Sequence, residues 1–321
     1  MTVALTSASF LVAALCAALM GFAIQRGATC MVAAVGELVD KGSANRLIAL
    51  AETSLWVAGG LIIARAAGAL PALPSGFAIT PATFFGAILL GLGAFANRAC
   101  VFGSIAKLGS GEWAYLLTPF GFFTGVAVIA PVFGKSVPML PLIPYAGPAH
   151  PAWLALAFAT FALWRLYGIA RRLRSETDWR MMAKRALAPH EATLLIGITF
   201  VIMLVCVGAW SYPDMLIRLA HGMTQGLVWR TLLFLALLIG AGIGGMVGGK
   251  IGLGRFDMVT LIRCLVGGVL MGWGSVMIPG SNDGLILTGM PLLWPYAWVA
   301  ILTMSATLWV VIRIEQALAN G

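Results

Sequence analysis

Two cysteines in this chain sit where a thiol can do chemistry. Cys30 closes the stretch Gln25-Arg26-Gly27-Ala28-Thr29-Cys30, and Cys100 lies inside Asn97-Arg98-Ala99-Cys100-Val101-Phe102-Gly103. Both stretches are turn-like and interrupt apolar runs. A neutral thiol, with an ordinary pKa of about 8.5, donates a weak S–H hydrogen bond to an anion and releases it easily, whereas a thiolate repels the same anion. A transport path needs that balance between admission and release. Cys16, Cys206 and Cys264 fall inside apolar runs and are expected as small core residues. No CxxC pair and no metal-like Cys/His spacing occurs, so neither a disulfide framework nor a zinc site is expected.

Two glycine-rich stretches interrupt the second half: Gly248-Gly249-Lys250-Ile251-Gly252-Leu253-Gly254-Arg255 and Ile278-Pro279-Gly280-Ser281-Asn282-Asp283-Gly284. In all four stretches a small residue permits close backbone approach, and a polar group stands where a helix can begin. Four helix N-termini at roughly half a charge each would supply about two positive charges, which suits a dianion without a buried lysine. The candidate path residues are therefore Gln25, Arg26, Cys30, Asn97, Arg98, Cys100, Gly103, Gly254, Ser281, Asn282, Asp283 and Gly284. Arg26 and Arg98 read equally as anion selectors and as interfacial anchors that snorkel. Asn282 and Asp283 read as helix caps or as direct substrate contacts. Glu52, within an apolar segment, is either a proton-coupling carboxylate or a lone carboxylate at a helix interface. Trp113, Trp294, Tyr115 and Tyr296 fit interfacial or packing roles.

No catalytic set is visible: there is no GxSxG elbow, phosphate-binding loop or HExxH, and His150, His190 and His221 stand apart in or beside predicted loops. No cofactor is implied.

Elements able to position such residues must cross a bilayer. Of 321 residues, 61% are hydrophobic and 10% charged, against about 45–50% and 25% in soluble domains. An ordinary soluble enzyme is excluded. Nine apolar segments are predicted, near residues 6–25, 47–70, 82–97, 113–134, 151–170, 191–210, 227–249, 258–278 and 292–314, several approaching the ~20 residues that cross a bilayer as helix. The 39 glycines and 15 prolines point to broken or re-entrant segments, which membranes accept only where they line a cavity or are buried in protein. The expected fold is an all-α polytopic membrane protein in one domain, 1–321.

The net charge of +9 is concentrated rather than spread. Arg165, Arg171, Arg172, Arg174, Arg180, Lys184 and Arg185 form one basic loop near 165–190, which reads as cytoplasmic and not as a nucleic-acid site. Nine crossings then put the N-terminus outside and the C-terminus inside, with sixteen basic residues on cytoplasmic ends and only Arg65, Lys135, Arg218 and Arg230 outside. The first apolar run lacks a basic leader, so no cleavable signal peptide is expected.

An offset of 181 residues relates two stretches of the chain. It aligns Gly91 and Gly93 with Gly272 and Gly274, Cys100 with Ser281, Gly103 with Gly284, Trp113 with Trp294 and Tyr115 with Tyr296. Five crossings separate the copies, so they face opposite sides as an inverted repeat, with halves 1–135 and 191–314. Such repeats bring discontinuous helices to the bilayer midplane, with half-helix N-termini aimed at an anionic substrate.

The run Gly91 to Gly125, centred on Arg98-Ala99-Cys100-Val101-Phe102-Gly103, resembles the YeeE/YedE family of bacterial inner-membrane proteins. So do Gly267 to Tyr296, with Asn282-Asp283-Gly284-Leu285-Ile286-Leu287-Thr288-Gly289, and the Gln25-Arg26 turn. The resemblance implies an hourglass-like fold with re-entrant hairpins meeting at the centre. It implies uptake of thiosulfate, passed between three cysteine thiols by S–H···S hydrogen bonds. Two of these carry over to Cys30 and Cys100, while Ser281 occupies the third position. That hydroxyl is a harder donor, which extends the expected substrates to sulfate, sulfite or other sulfur and selenium species. The resemblance also implies a separate TusA-like sulfur carrier, with the loop Arg165 to Arg185 as its dock. Two other readings stand beside uptake: a membrane-embedded sulfurtransferase or thiol redox protein using Cys30 or Cys100, and an accessory subunit that has lost transport.

Overall fold

The computed structural model describes residues 5–27, 29–70, 73–133, 138–139, 152–175, 186–249, 252 and 257–320. Gly254 and residues 176–185 of the basic loop lie outside these.

The chain folds as helices in the order α1 (Ala8–Gly27), α2 (Met31–Lys41), α3 (Asn45–Ala66), α4 (Pro81–Ala96), α5 (Val101–Gly109), a 3-10 turn (Trp113–Leu116), α6 (Leu117–Phe133) and α7 (Ala152–Ser175). The second half continues with α8 (Pro189–Val207), α9 (Tyr212–Ala220), α10 (Leu227–Val247), α11 (Met258–Met277), α12 (Asn282–Gly284, continuing as the π-helical turn Leu285–Gly289) and α13 (Pro295–Asn320). A two-residue β pairing, Gly76–Phe77 with Pro138–Met139, is the only sheet among the described residues. Among the described residues, seven stretches are long and apolar enough to span a membrane. Two of these are broken, Ala8–Lys41 containing α1 and α2, and Pro81–Gly109 containing α4 and α5. With the shorter apolar helix α6 beside them, these make the chain an all-α polytopic membrane protein. The first half of the expected basic loop is helical, since α7 runs on to Ser175.

Bare backbone contacts hold the bundle together, because lipid offers no hydrophobic drive between helices and small residues let backbones approach. A Cβ on Gly21 would lie 1.9 Å from the Leu237 carbonyl oxygen, and one on Gly240 would lie 1.8 Å from that of Ala18, so α1 and α10 touch main chain to main chain. Gly86 meets Gly274 and Gly93 meets Gly267 in the same way, which sets α4 antiparallel to α11 at the centre.

The offset of 181 extends over almost every element. It carries the start of α1 onto that of α8, Met31 onto Tyr212, the end of α3 onto that of α10, the end of α4 onto that of α11, and Val101 onto Asn282. Packing repeats accordingly: α1 on α10 recurs as α8 on α3, and α6 on α11 as α13 on α4.

Candidate functional site

Four helix breaks meet inside the bundle. The residue before α2 is Cys30 (φ −138°, ψ 135°), and its repeat mate before α9 is Ser211 (φ −143°, ψ 157°). Cys100 before α5 (φ −75°, ψ −178°) is matched by Ser281 before α12 (φ −82°, ψ 163°). All four hold the extended backbone of a helix N-cap. Two thiols thus occupy one half of the repeat, and two hydroxyls the same places in the other.

The breaks lie at mid-depth. Met31 sits beside Ser305, near the middle of α13, while Asp40 at the other end of α2 accepts from Gln316 near the end of α13. Asn97 packs on Gly267, halfway along α11. Ser54, halfway along α3, donates to the Ile286 carbonyl of α12 at 2.7 Å. Tyr212 ties the halves together: its hydroxyl donates to the Val101 carbonyl at 2.8 Å and lies 3.2 Å from Ser104 Oγ.

The cysteines are in direct contact. The Cys100 amide donates to Cys30 Sγ at 3.2 Å, and Gly103 supplies the room, since a Cβ there would lie 2.6 Å from that sulfur. This amide is one of the unpaired N–H groups at the start of α5. Asn97 closes the turn, donating to the Ala99 carbonyl at 2.8 Å and accepting from Thr118 at 2.9 Å. Arg98, with φ 57°, pairs with Glu315 and stacks 5.1 Å over the Phe95 ring. Gln25 donates to Ser110 at 3.2 Å. Arg26 is buried with its guanidinium against Gly248, where a Cβ would lie 2.1 Å from Nη1.

A cavity of about 390 Å³ opens onto this half, lined by Gln25, Cys30, Ala33, Arg98, Ala99, Gly103, Ala106, Lys107, Ser110 and Glu112. A second, of about 300 Å³, opens onto the serine half, lined by Phe77, Asp214, Ile217, His221, Ser275, Val276, Pro279 and Gly280. Three lining pairs are repeat mates: Ala33 with Asp214, Arg98 with Pro279 and Ala99 with Gly280. The two cavities therefore approach the breaks as repeat-related vestibules that differ in charge.

Several expectations change. A further break lies at Gly208 to Ser211, inside the sixth apolar segment, while most of the stretch Gly248 to Arg255, Gly254 included, lies outside the described residues. Applying the offset to Cys30 yields Ser211, and to Gly27-Ala28 yields Gly208-Ala209, so the signal was present. Glu52 is not a lone carboxylate, because Arg165 donates to it at 3.1 Å and His190 and Trp56 also bind it. His190 is accordingly not isolated. Ser281, the residue before α12, makes no side-chain cap bond; Asn282 Oδ1 and the Asp283 carboxylate are buried without a hydrogen bond of good geometry, with the Ser281 hydroxyl and the backbone N–H groups of Asp283 and Gly284 beside that carboxylate. Gly284 lies beside Ser281, 3.6 Å from Oγ at its Cβ position.

The family profile described as sulphur transport matches residues 26–310. The chain belongs to that family. A thiosulfate transporter, TsuA, from Spirochaeta thermophila is 28% identical over 231 residues, which cover 68% of this chain and 62% of that one. The chain thus spans less than two thirds of that relative's length. The resemblance first read from Arg98-Ala99-Cys100 and Asn282-Asp283-Gly284 is borne out at the level of the family.

Proposed function

We propose that this protein carries thiosulfate or a similar sulfur oxyanion inward across a bacterial inner membrane, with its N-terminus periplasmic and its C-terminus cytoplasmic, and is not an enzyme. The observation that carries this is the Cys30–Cys100 contact at mid-depth, facing a cavity, in a chain of the sulphur-transport family. The name of the Spirochaeta relative supports thiosulfate as the first substrate to test. In this reading the anion approaches the N-terminal ends of α2, α5 and α9, whose dipoles attract it. It is handed between the thiols of Cys30 and Cys100 and the hydroxyls of Ser211 and Ser281 by S–H and O–H donation. Neutral donors hold an anion without trapping it, as conduction requires. Gln25, Arg26 and Arg98 line or back the thiol half, and Asn282, Asp283 and Gly284 the hydroxyl half. The cytoplasmic exit would deliver to a TusA-like carrier on the basic stretch Arg165 to Arg185.

The test is uptake of labelled thiosulfate, and growth on it, in a bacterium unable to use sulfate or import thiosulfate. Wild type is expected to take up thiosulfate saturably, and Cys100→Ala at equal membrane abundance to abolish uptake. Well-expressed wild type that imports no thiosulfate refutes this substrate.

A further inference from the structure

The two halves differ most at their acids. By the offset of 181, Asp283 stands where the first half has Phe102, and Asp214 where it has Ala33. Asp283 is fully buried, two residues beyond the Ser281 break, with neither carboxylate oxygen in a hydrogen bond of good geometry; the Ser281 hydroxyl and the backbone N–H groups of its own turn are the polar groups beside it. Asn282 Oδ1 next to it and Ser275 Oγ at the end of α11 are buried without a hydrogen bond of good geometry. Asp214 lines the second cavity, with Ser275 and His221. A carboxylate in a membrane interior is costly unless paired, and such groups mark ion pathways and proton relays.

We propose that Asp283 is the coupling site of this transporter: it binds one proton that enters through the second cavity by way of Asp214 and crosses with the anion. This rests on the uptake function proposed above. One proton and one anion bind from the outside and both leave inside; no bond to sulfur changes and no electrons move. The groups facing Asp283 fit this. Tyr212 and Asp214 on α9 interact with it electrostatically, and no salt bridge to it occurs among the described residues. Arg218 and Arg230 act instead on Asp214, and Tyr296 on α13 also feels Asp214. On α3 and α5 the nearby polar groups are the Ser54 hydroxyl, bound to Ile286, and Ser104, bound beside Tyr212. Glu52, an acid within α3, is held by Arg165 and His190 and is not free for this role. The need is plain, since each negative charge moved inward against 100 mV is disfavoured about fifty-fold at equilibrium, and a dianion twice over.

The experiment uses the full chain in proteoliposomes containing a pH-sensitive dye, with thiosulfate as the probe. Exchange of labelled for unlabelled thiosulfate at equal pH tests transport itself; its absence in wild type overturns the underlying function. With exchange present, adding thiosulfate outside should acidify the lumen, and one unit of pH gradient with the acid side outside should raise accumulation about tenfold for one proton. Exchange without acidification overturns coupling. Asp283→Asn should reduce that tenfold ratio to one, whatever its rate, and Asp283→Glu should keep it. If Asp283→Asn carries no thiosulfate at all, the pH midpoint of Asp283→Glu uptake decides: a midpoint displaced from wild type supports the assignment, and an unmoved one overturns it. A ratio that follows a sodium gradient instead of pH also overturns it.

Discussion

Gly103→Ala isolates the thiol contact from everything else in the first vestibule. Gly103 is the third residue of α5 and has ordinary helical dihedrals, so alanine would by itself favour the helix by about 1 kcal/mol. The added methyl, however, falls 2.6 Å from Cys30 Sγ, 3.2 Å from Cys30 Cβ and 3.1 Å from Ala99 Cβ. Carbon contacts are comfortable at about 3.5–4.0 Å, so the methyl intrudes by about 1 Å on the sulfur. Cys30 can yield only by turning its sulfur away, which removes the acceptor of the Cys100 amide and leaves a buried N–H unpaired. Overpacking of this kind costs about 1–3 kcal/mol. Set against the helix gain, the variant should be destabilised by about 0–2 kcal/mol while uptake falls far more, because the thiol has left its place. The decisive assay is a double-mutant cycle with Cys30→Ala, read by thermal unfolding in detergent and by thiosulfate uptake. The pair should show a coupling of about 1–3 kcal/mol, with Gly103→Ala nearly harmless to stability once the sulfur is gone. Additive stability changes, or normal uptake by Gly103→Ala alone, would refute the geometry.

Three further outcomes are expected. Ser211→Cys should fold normally, since the swap nearly conserves volume at an N-cap, and should shift selectivity from sulfate toward thiosulfate in competition uptake; its Ser211→Ala counterpart should lose the cap bond to Asp214 N and about 1 kcal/mol of stability by thermal unfolding. Glu52→Gln should leave Arg165 without its ion pair and weaken its hold on His190, costing about 1–3 kcal/mol in thermal stability, discounted because Arg165 is a third exposed, while leaving the pH ratio of uptake unchanged. Gly240→Val would drive a side chain into the Ala18 carbonyl, and should abolish folded protein in the membrane fraction as judged by size-exclusion profiles.

The bundle was legible in the sequence because lipid imposes its own grammar: apolar runs of crossing length, and glycines where backbones touch. Cys30, Cys100 and Ser281 were found because each lies in an interrupted run. Ser211 was not, since Trp210, Tyr212 and Met215 around it are apolar and the break costs only one glycine, Gly208 at φ 87°. Its signal was relational, visible only by carrying the offset through the whole chain. In the stretch Gly248 to Arg255, Gly248 gives room to the Arg26 guanidinium, a long-range contact that no local pattern reports. The partners of Glu52 were hidden for the same reason: Arg165 and His190 are 113 and 138 residues away.

An inverted repeat makes the two routes to the centre equivalent unless residues break the symmetry, and here they break it in two ways. Sulfur replaces oxygen at Cys30 and Cys100, and carboxyls replace Ala33 and Phe102 at Asp214 and Asp283. The second difference bears directly on an anion. The regular helices beginning at Cys30, Cys100 and Ser211 together present roughly one and a half positive charges to the centre. An ionised Asp283 would cancel about two thirds of that, whereas a protonated one leaves it intact and offers an O–H donor besides. The proton and the anion therefore assist each other's binding, and linkage requires the effect to be mutual. The thiol half carries no such acid in its break, so an anion arriving there meets the dipoles of α2 and α5 and donors that release it readily. Loading with a proton at the carboxyl half and release at the thiol half is the order of events that this asymmetry favours.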